Sequence, residues 1–256
     1  MFSVLLGWAA VGTQELAAQM QDMARSVGCE GLKLVVLEEN LCHNHFERAL
    51  HNGGAAAGLQ SIPTLAAAAT SQCWSAAAHA DGCGEGHIMQ MPDLTWAQPP
   101  FYASRMVYTN YLRFAVDVHA TPIALPTATG EPSGFKNLTV FAMSSNDPKH
   151  HSSSELSGDL VLRFVNDNNR SVTIVLDIVG GRSSQTVAVQ TLQSPLFGSA
   201  LWDTETGGGW NSPHNTTFIS PTLTNWTWAN AKGALGEQQT YELPPESFVV
   251  MRFSEP

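Results

Sequence analysis

The run LVVLEEN, residues 34 to 40, takes four aliphatic residues straight into two adjacent carboxylates, Glu38 and Glu39. A carboxylate at the end of a buried strand is fixed by rigid backbone, which suits a nucleophile or a general base better than a loop does. The two cannot divide acid and base work between them, because consecutive strand side chains point to opposite faces. One of them would need a partner carboxylate from elsewhere. Close behind, His43 and His45 in CHNH could contact a substrate hydroxyl or simply open a solvated helix. No third ligand stands at a useful spacing, so no metal is expected, and no cofactor motif is evident. Trp74 and Trp96 lie in loop sequence rich in Gly and His, where flat aromatic faces could stack on sugar rings; core packing is the competing role for these and for Trp202, Trp210, Trp226 and Trp228. A GxSxG elbow is missing, which argues against a serine hydrolase.

The elements that must position these groups change character along the chain. Residues 13–27, TQELAAQMQDMARSV, carry Leu16, Met20, Met23 and Val27 at three- and four-residue spacing, predicting an amphipathic helix that Gly28 ends. LKLVVL has no alternation and suits a parallel strand covered on both faces. A second helix is expected from His45 to about Leu50, with Gly53 and Gly54 weakening any extension, and 62–69 reads as a further buried strand. PPFYASRMVYTNYL, 99–112, begins like a helix with proline in its first turn. Beyond residue 113 come short segments rich in β-branched and aromatic residues: LVLRFVN, SVTIVLDIV, TVAVQTL, TFISPTL, TYELPP and SFVVMRF. Gly, Pro, Asn and Ser clusters separate them, as in an antiparallel sandwich or jelly roll. The expected organisation is therefore 1–112 of βα type and 113–256 all-β.

Composition narrows the partners. Hydrophobic residues make up 43% of 256, enough for a sizeable core, and 12 Lys plus Arg stand against 22 Asp plus Glu for a formal charge of −10. Clustered cations for phosphate binding are missing, so nucleic acid is not an expected partner. No apolar stretch approaches the ~20 residues of a membrane-spanning helix, so no membrane partner is expected either. Cys29, Cys42, Cys73 and Cys83 match no zinc-finger or CxxC spacing; a Cys73–Cys83 disulfide and free thiols both stand open. Sequons at Asn137, Asn169, Asn215 and Asn225 point toward the secretory pathway or an extracellular place, although the start of the chain lacks the basic region of a secretory signal.

VVLEEN, the later Arg48-Ala49-Leu50, Cys73-Trp74 before a Gly-rich loop, QPPFYASRM at 98–106, LRFVNDNNRSVTIVLDI, HNTTFISPT and the closing YELPPESFVVMRF occur in the order that resembles the carboxyl-terminal part of family 51 α-L-arabinofuranosidases. The resemblance implies a partial (β/α)8 barrel over 1–112 followed by an antiparallel, jelly-roll-like β-sandwich over 113–256. It further implies a retaining glycosidase that removes terminal arabinofuranosyl residues from a polysaccharide or oligosaccharide. In that family one Glu at a strand end is the nucleophile, and a Glu in an Asn-Glu pair is the acid/base. Alignment by the preceding acidic position favours Glu39 as nucleophile; alignment by strand length favours Glu38. Retention requires the partner carboxyl at ~5 to 5.5 Å. This sequence contains no Asn-Glu pair, and a whole barrel takes roughly 250 residues. The expectation is an amino-terminal barrel half supplied by other polypeptide, without which the chain does not hydrolyse a glycoside. The alternative is a noncatalytic carbohydrate-binding or packing sandwich.

Overall fold

The computed structural model describes residues 13–29, 34–36, 50, 53, 65–68, 75–76, 87–119, 138–146, 158–178, 184–195, 211–229 and 239–254. Helix α1, Thr13–Ser26, has Glu15 in its first turn and Arg25 in its last, both complementing the helix dipole. It ends as the sequence predicts. Gly28 takes φ +80, its N–H donates to Arg25 O at 3.0 Å, and Cys29 N–H donates to Ala24 O at 2.8 Å, the paired bonds of a Schellman cap. The expected burial does not follow for Met20, Met23 and Val27 of the apolar stripe: Met23 and Val27 are 70% and 75% exposed and Met20 is exposed too, while Ala24 is buried. Helical spacing specifies one apolar face but not that another element covers it.

Strand β1, Leu34–Val36, pairs in parallel with β2, Leu65–Ala68. Both strands were expected, and the parallel pairing suits their unalternating aliphatic sequence. The stretch read as loop before Gln98 contains more order than expected: β3, Ser75–Ala76, runs parallel to β4, Ile88–Met91, which forms a hairpin with β5, Leu94–Ala97. Helix α2, Pro99–Thr109, follows directly, with the predicted prolines in its first turn. It stops at Asn110, short of the predicted Leu112. The Asn110 amide bends back to donate to Met106 O at 2.8 Å, taking one of the carbonyls left open at the helix end.

The latter part is built from strands β6, Phe114–Val116; β7, Leu138–Ser144; β8, Leu160–Asn166; β9, Val172–Leu176; β10, Gln185–Gln193; β11, Thr222–Trp228; β12, Gln239–Leu243; and β13, Ser247–Phe253. Six form an antiparallel sheet in the order β11-β10-β13-β8-β7-β6, and β12 pairs antiparallel with β9. Mostly β with antiparallel sheets, this half matches the strand-rich reading. TFISPTL is a correction: turns occupy residues 213–219, and the strand begins only at Thr222. Asn211 ties up the Ile219 backbone in that segment, and Pro221 has no N–H for a ladder.

Two cores flank the large sheet. Alternation along β8 sends Leu160, Leu162 and Phe164 to one side and Val161 and Val165 to the other. The first side meets Val172 and Ile174 of β9 and Leu243 of β12, so the small sheet packs on the large one. Here Trp228 lies edge-on to Trp226 and to Phe253, with centroids 5.9 and 5.6 Å apart. The second side receives α2: Ala103, Met106 and Val107 pack with Leu50, Leu192, Phe248 and Val250. Central strands covered on both faces are why LVLRFVN and SFVVMRF read as nearly continuous apolar runs.

Candidate functional site

Glu38, Glu39, His43, His45 and Trp74 lie outside the described residues. In the sequence, Glu38 and Glu39 stand two and three positions after Val36, the last residue of parallel strand β1. Cys29 is exposed and free; the other cysteines also lie outside the described residues. Among the described residues no group of three or more His, Cys, Asp or Glu could hold a metal ion, and no helix is long and apolar enough to cross a membrane.

Trp96 is described, and it organises the junction between β5 and α2. Its indole is 3% exposed, and Nε1–H donates to Asn211 O at 2.9 Å. Gln98, also buried, pairs with the same backbone unit from both ends: Nε2–H donates to Asn211 O at 2.8 Å and Oε1 accepts from Asn211 N–H at 2.9 Å. The Asn211 side chain completes the clamp, donating to Ala97 O and Ile219 O, both at 2.9 Å, and accepting from Ile219 N–H at 2.6 Å. Each polar atom of that amide is matched, so its burial carries little desolvation penalty. The clamp fixes loop 211–219 against the carboxyl end of β5, and His214 and Asn215 of that loop are exposed. Neither Asn211 nor the pairing role of Gln98 is visible in the sequence, because the two are 113 positions apart. The only local hint is a long polar side chain, Gln98, directly before a double proline.

Beside this junction α2 and the edge of the large sheet enclose a cleft of about 420 Å³, with Tyr102, Arg105, Thr109, Gln190 and Leu223 among its walls. Two charged groups near the shared cores are displaced from ordinary behaviour. Arg163, fully buried on β8, donates from Nη2 to Val107 O at 3.1 Å and Asn110 O at 3.0 Å, placing a cation at the carbonyl end of α2. Burial lowers its pKa to about 10, with Tyr111 partly opposing, so it stays charged at neutral pH. Glu246, in the turn between β12 and β13, is pushed by burial up to about 7.

No protein-family model matches the sequence, and no curated protein matches it. Solved structures do. An α-L-arabinofuranosidase from Thermotoga maritima, determined as an arabinose complex, superposes with a TM-score of 0.72 at 15% identity over 99% of this chain and 50% of its own. The family 51 enzyme of Thermotoga petrophila RKU-1 gives 0.67 at 14% identity, over 96% of this chain and 48% of its own. That of Xanthomonas axonopodis pv. citri gives 0.61 at 15%, over 95% and 45%. The chain thus spans about half the length of these structures. At such identities the shared feature is the fold, and that fold is glycoside hydrolase-like, of the kind found in family 51 α-L-arabinofuranosidases.

Proposed function

We propose that the chain is part of a retaining α-L-arabinofuranosidase, acting on terminal arabinofuranosyl groups of a polysaccharide or oligosaccharide. Residues 1–112 then form the closing part of a (β/α)8 barrel, and 113–256 form the β-sandwich beside it. The observation that carries this reading is the superposition over 99% of the chain on an arabinofuranosidase structure. It is supported by the parallel pair β1–β2, whose first strand leads in sequence into Glu38 and Glu39. Catalytic carboxylates of parallel barrels sit at the carboxyl ends of strands.

In the proposed mechanism ionised Glu39 attacks the anomeric carbon and forms a glycosyl-enzyme ester, while a protonated carboxyl ~5 to 5.5 Å away protonates the leaving oxygen. Water then cleaves the ester with the second carboxyl acting as base. That second carboxyl comes from polypeptide completing the barrel, since no Asn-Glu pair occurs in this sequence. His43, His45 and Trp74 border the sugar in this reading, whereas Trp96, its indole buried and bonded to Asn211 O, has no open face for stacking and instead sets loop 211–219.

A substrate whose leaving group needs no protonation isolates the first half-reaction. A dinitrophenyl arabinofuranoside fluorinated at C2 should add one sugar to the chain, read by intact mass, with the label on the peptide holding Glu39. Glu39→Gln should abolish labelling and Glu38→Gln should not. A label on Glu38 would reverse the assignment of the nucleophile; a chain that stays unlabelled while its circular dichroism is that of a folded protein would end the catalytic reading.

A further inference from the structure

Three N-x-[Ser/Thr] triplets fall within the described residues: Asn169-Arg170-Ser171, Asn215-Thr216-Thr217 and Asn225-Trp226-Thr227. Their amides are used differently from those of other asparagines. Asn110, Asn166, Asn168 and Asn211 are buried, and each commits its side-chain amide to hydrogen bonds within the fold. Asn169, Asn215 and Asn225 are exposed and make no side-chain hydrogen bond among the described residues. The hydroxyl residue two positions on is exposed in every case: Ser171, Thr217 and Thr227. The three also occupy sites where a bulky substituent meets no core: the β8–β9 connection between the two sheets, loop 211–219 and edge strand β11.

The strand site carries a further consequence. Among the described residues, β11 lies at one end of the six-stranded sheet and pairs only with β10. Trp226 and Trp228 turn toward the sheet-on-sheet core, while Leu223, Asn225 and Thr227 share the opposite face, where Leu223 is 69% exposed. An exposed edge with a bare leucine is a template for pairing with another chain unless something blocks it. Asn225 lies two residues from Leu223 on the same face, about 7 Å along the strand.

We propose that Asn169, Asn215 and Asn225 are N-glycosylation acceptors, and that the glycan on Asn225 shields the β11 edge of the large sheet. The donor is an oligosaccharide carried on a polyisoprenyl diphosphate. The asparagine Nδ2 attacks the sugar's C1, and the C1–N bond forms as the C1–O bond to the diphosphate breaks. The lipid diphosphate leaves with the electron pair, the amide proton passes to a base of the transferase, and no redox partner takes part. A branched hydrated glycan cannot enter a β-ladder, so it protects the edge as charges or prolines do elsewhere.

The full chain, expressed behind a cleavable secretory leader in a eukaryotic cell, tests this separately from any glycosidase activity. Leader removal marks delivery, and lysate and medium are both read. Peptide-N-glycosidase F in 18O-water should convert Asn169, Asn215 and Asn225 to 18O-labelled Asp. Thr227→Ala should erase the label at Asn225 alone, whereas Thr227→Ser should keep it. Leader-processed chain with these asparagines unmodified would overturn the proposal. For the edge, the Thr227→Ala protein should elute at least twofold larger on sizing than the Thr227→Ser protein. Identical monomeric elution would remove the shielding role.

Discussion

Glu246 combines two unfavourable local features. It follows Pro244-Pro245 in the β12–β13 turn with φ +36, a region that costs a residue bearing a Cβ, and its half-buried carboxyl titrates near 7 because burial disfavours the charge. The turn is held by surrounding bonds: Glu246 N–H donates to Asn168 O at 2.9 Å, Gln193 Nε2–H to Pro245 O at 2.8 Å, and Asn166 Nδ2–H to Pro244 O at 2.6 Å. The folded-state pKa lies above the ordinary 4.5, so between these values the folded chain binds more protons than the unfolded one. Stability contributed by this group is therefore present at low pH and falls as pH rises through about 4.5 to 7. Glu246→Gln should unfold in urea like the parent at pH 4.5. At pH 8 it should be more stable by roughly 1 kcal/mol, a figure reduced for solvent at the carboxyl's open side. A constant difference across that range would show that the carboxyl is not desolvated in the fold.

The attachment of α2 to the sheet rests on apolar packing and one buried cation. Arg163 satisfies two carbonyls at the helix end with a single nitrogen, while its Nε and Nη1 find no partner among the described residues. A buried charge so incompletely paired contributes less than its contacts suggest. Arg163→Met, which keeps the volume and removes the charge, should change stability by about 1 kcal/mol or less, whereas Arg163→Ala should cost about 3 to 5 kcal/mol through the cavity it leaves. Equal loss in both variants, measured by urea unfolding, would mean that the carbonyl bonds dominate. Arg163 also shows what the sequence can and cannot disclose about elements. The apolar run around it identifies β8, and the prolines identify the start of α2, because periodicity and backbone chemistry are local. Its pairing with Val107 and Asn110 joins positions more than 50 apart and has no local signature. The same holds for the Trp96–Gln98–Asn211 clamp, where the amides meet only after β5 and loop 211–219 come together. Conversely, the helical stripe of α1 is plain in the sequence, yet Met20, Met23 and Val27 are left exposed. The proposed nucleophile rests on two glutamates that follow an aliphatic strand in the sequence and lie outside the described residues, and a group opposing them depends on tertiary placement.

At the scale of the whole molecule, the change of sequence character near Arg113 does not coincide with a gap in the packing. Ala103, Met106, Val107 and Leu112, from before that point, form one core with Met143, Val161, Val165, Leu192, Phe248 and Val250 from after it. Each such side chain, when fully buried, contributes about 1.5 to 3 kcal/mol, so losing the helix strips several times the usual effect of one substitution from the sheet. A chain beginning at Arg113 would also leave the Arg163 guanidinium without Val107 O and Asn110 O, its only described partners. Its small sheet would still cover the opposite face through Val172, Ile174 and Leu243. The expected product is thus a collapsed sheet with one bare apolar face, not an independent domain. It should bind a hydrophobic dye, self-associate on sizing and unfold without a sharp urea transition, whereas the full chain should lose tryptophan fluorescence and far-ultraviolet dichroism together in one transition. A monomeric, cooperatively unfolding 113–256 chain would show that the α2 contact is a docking of two self-sufficient units, and that the core on the helix side adds adhesion without specifying the fold.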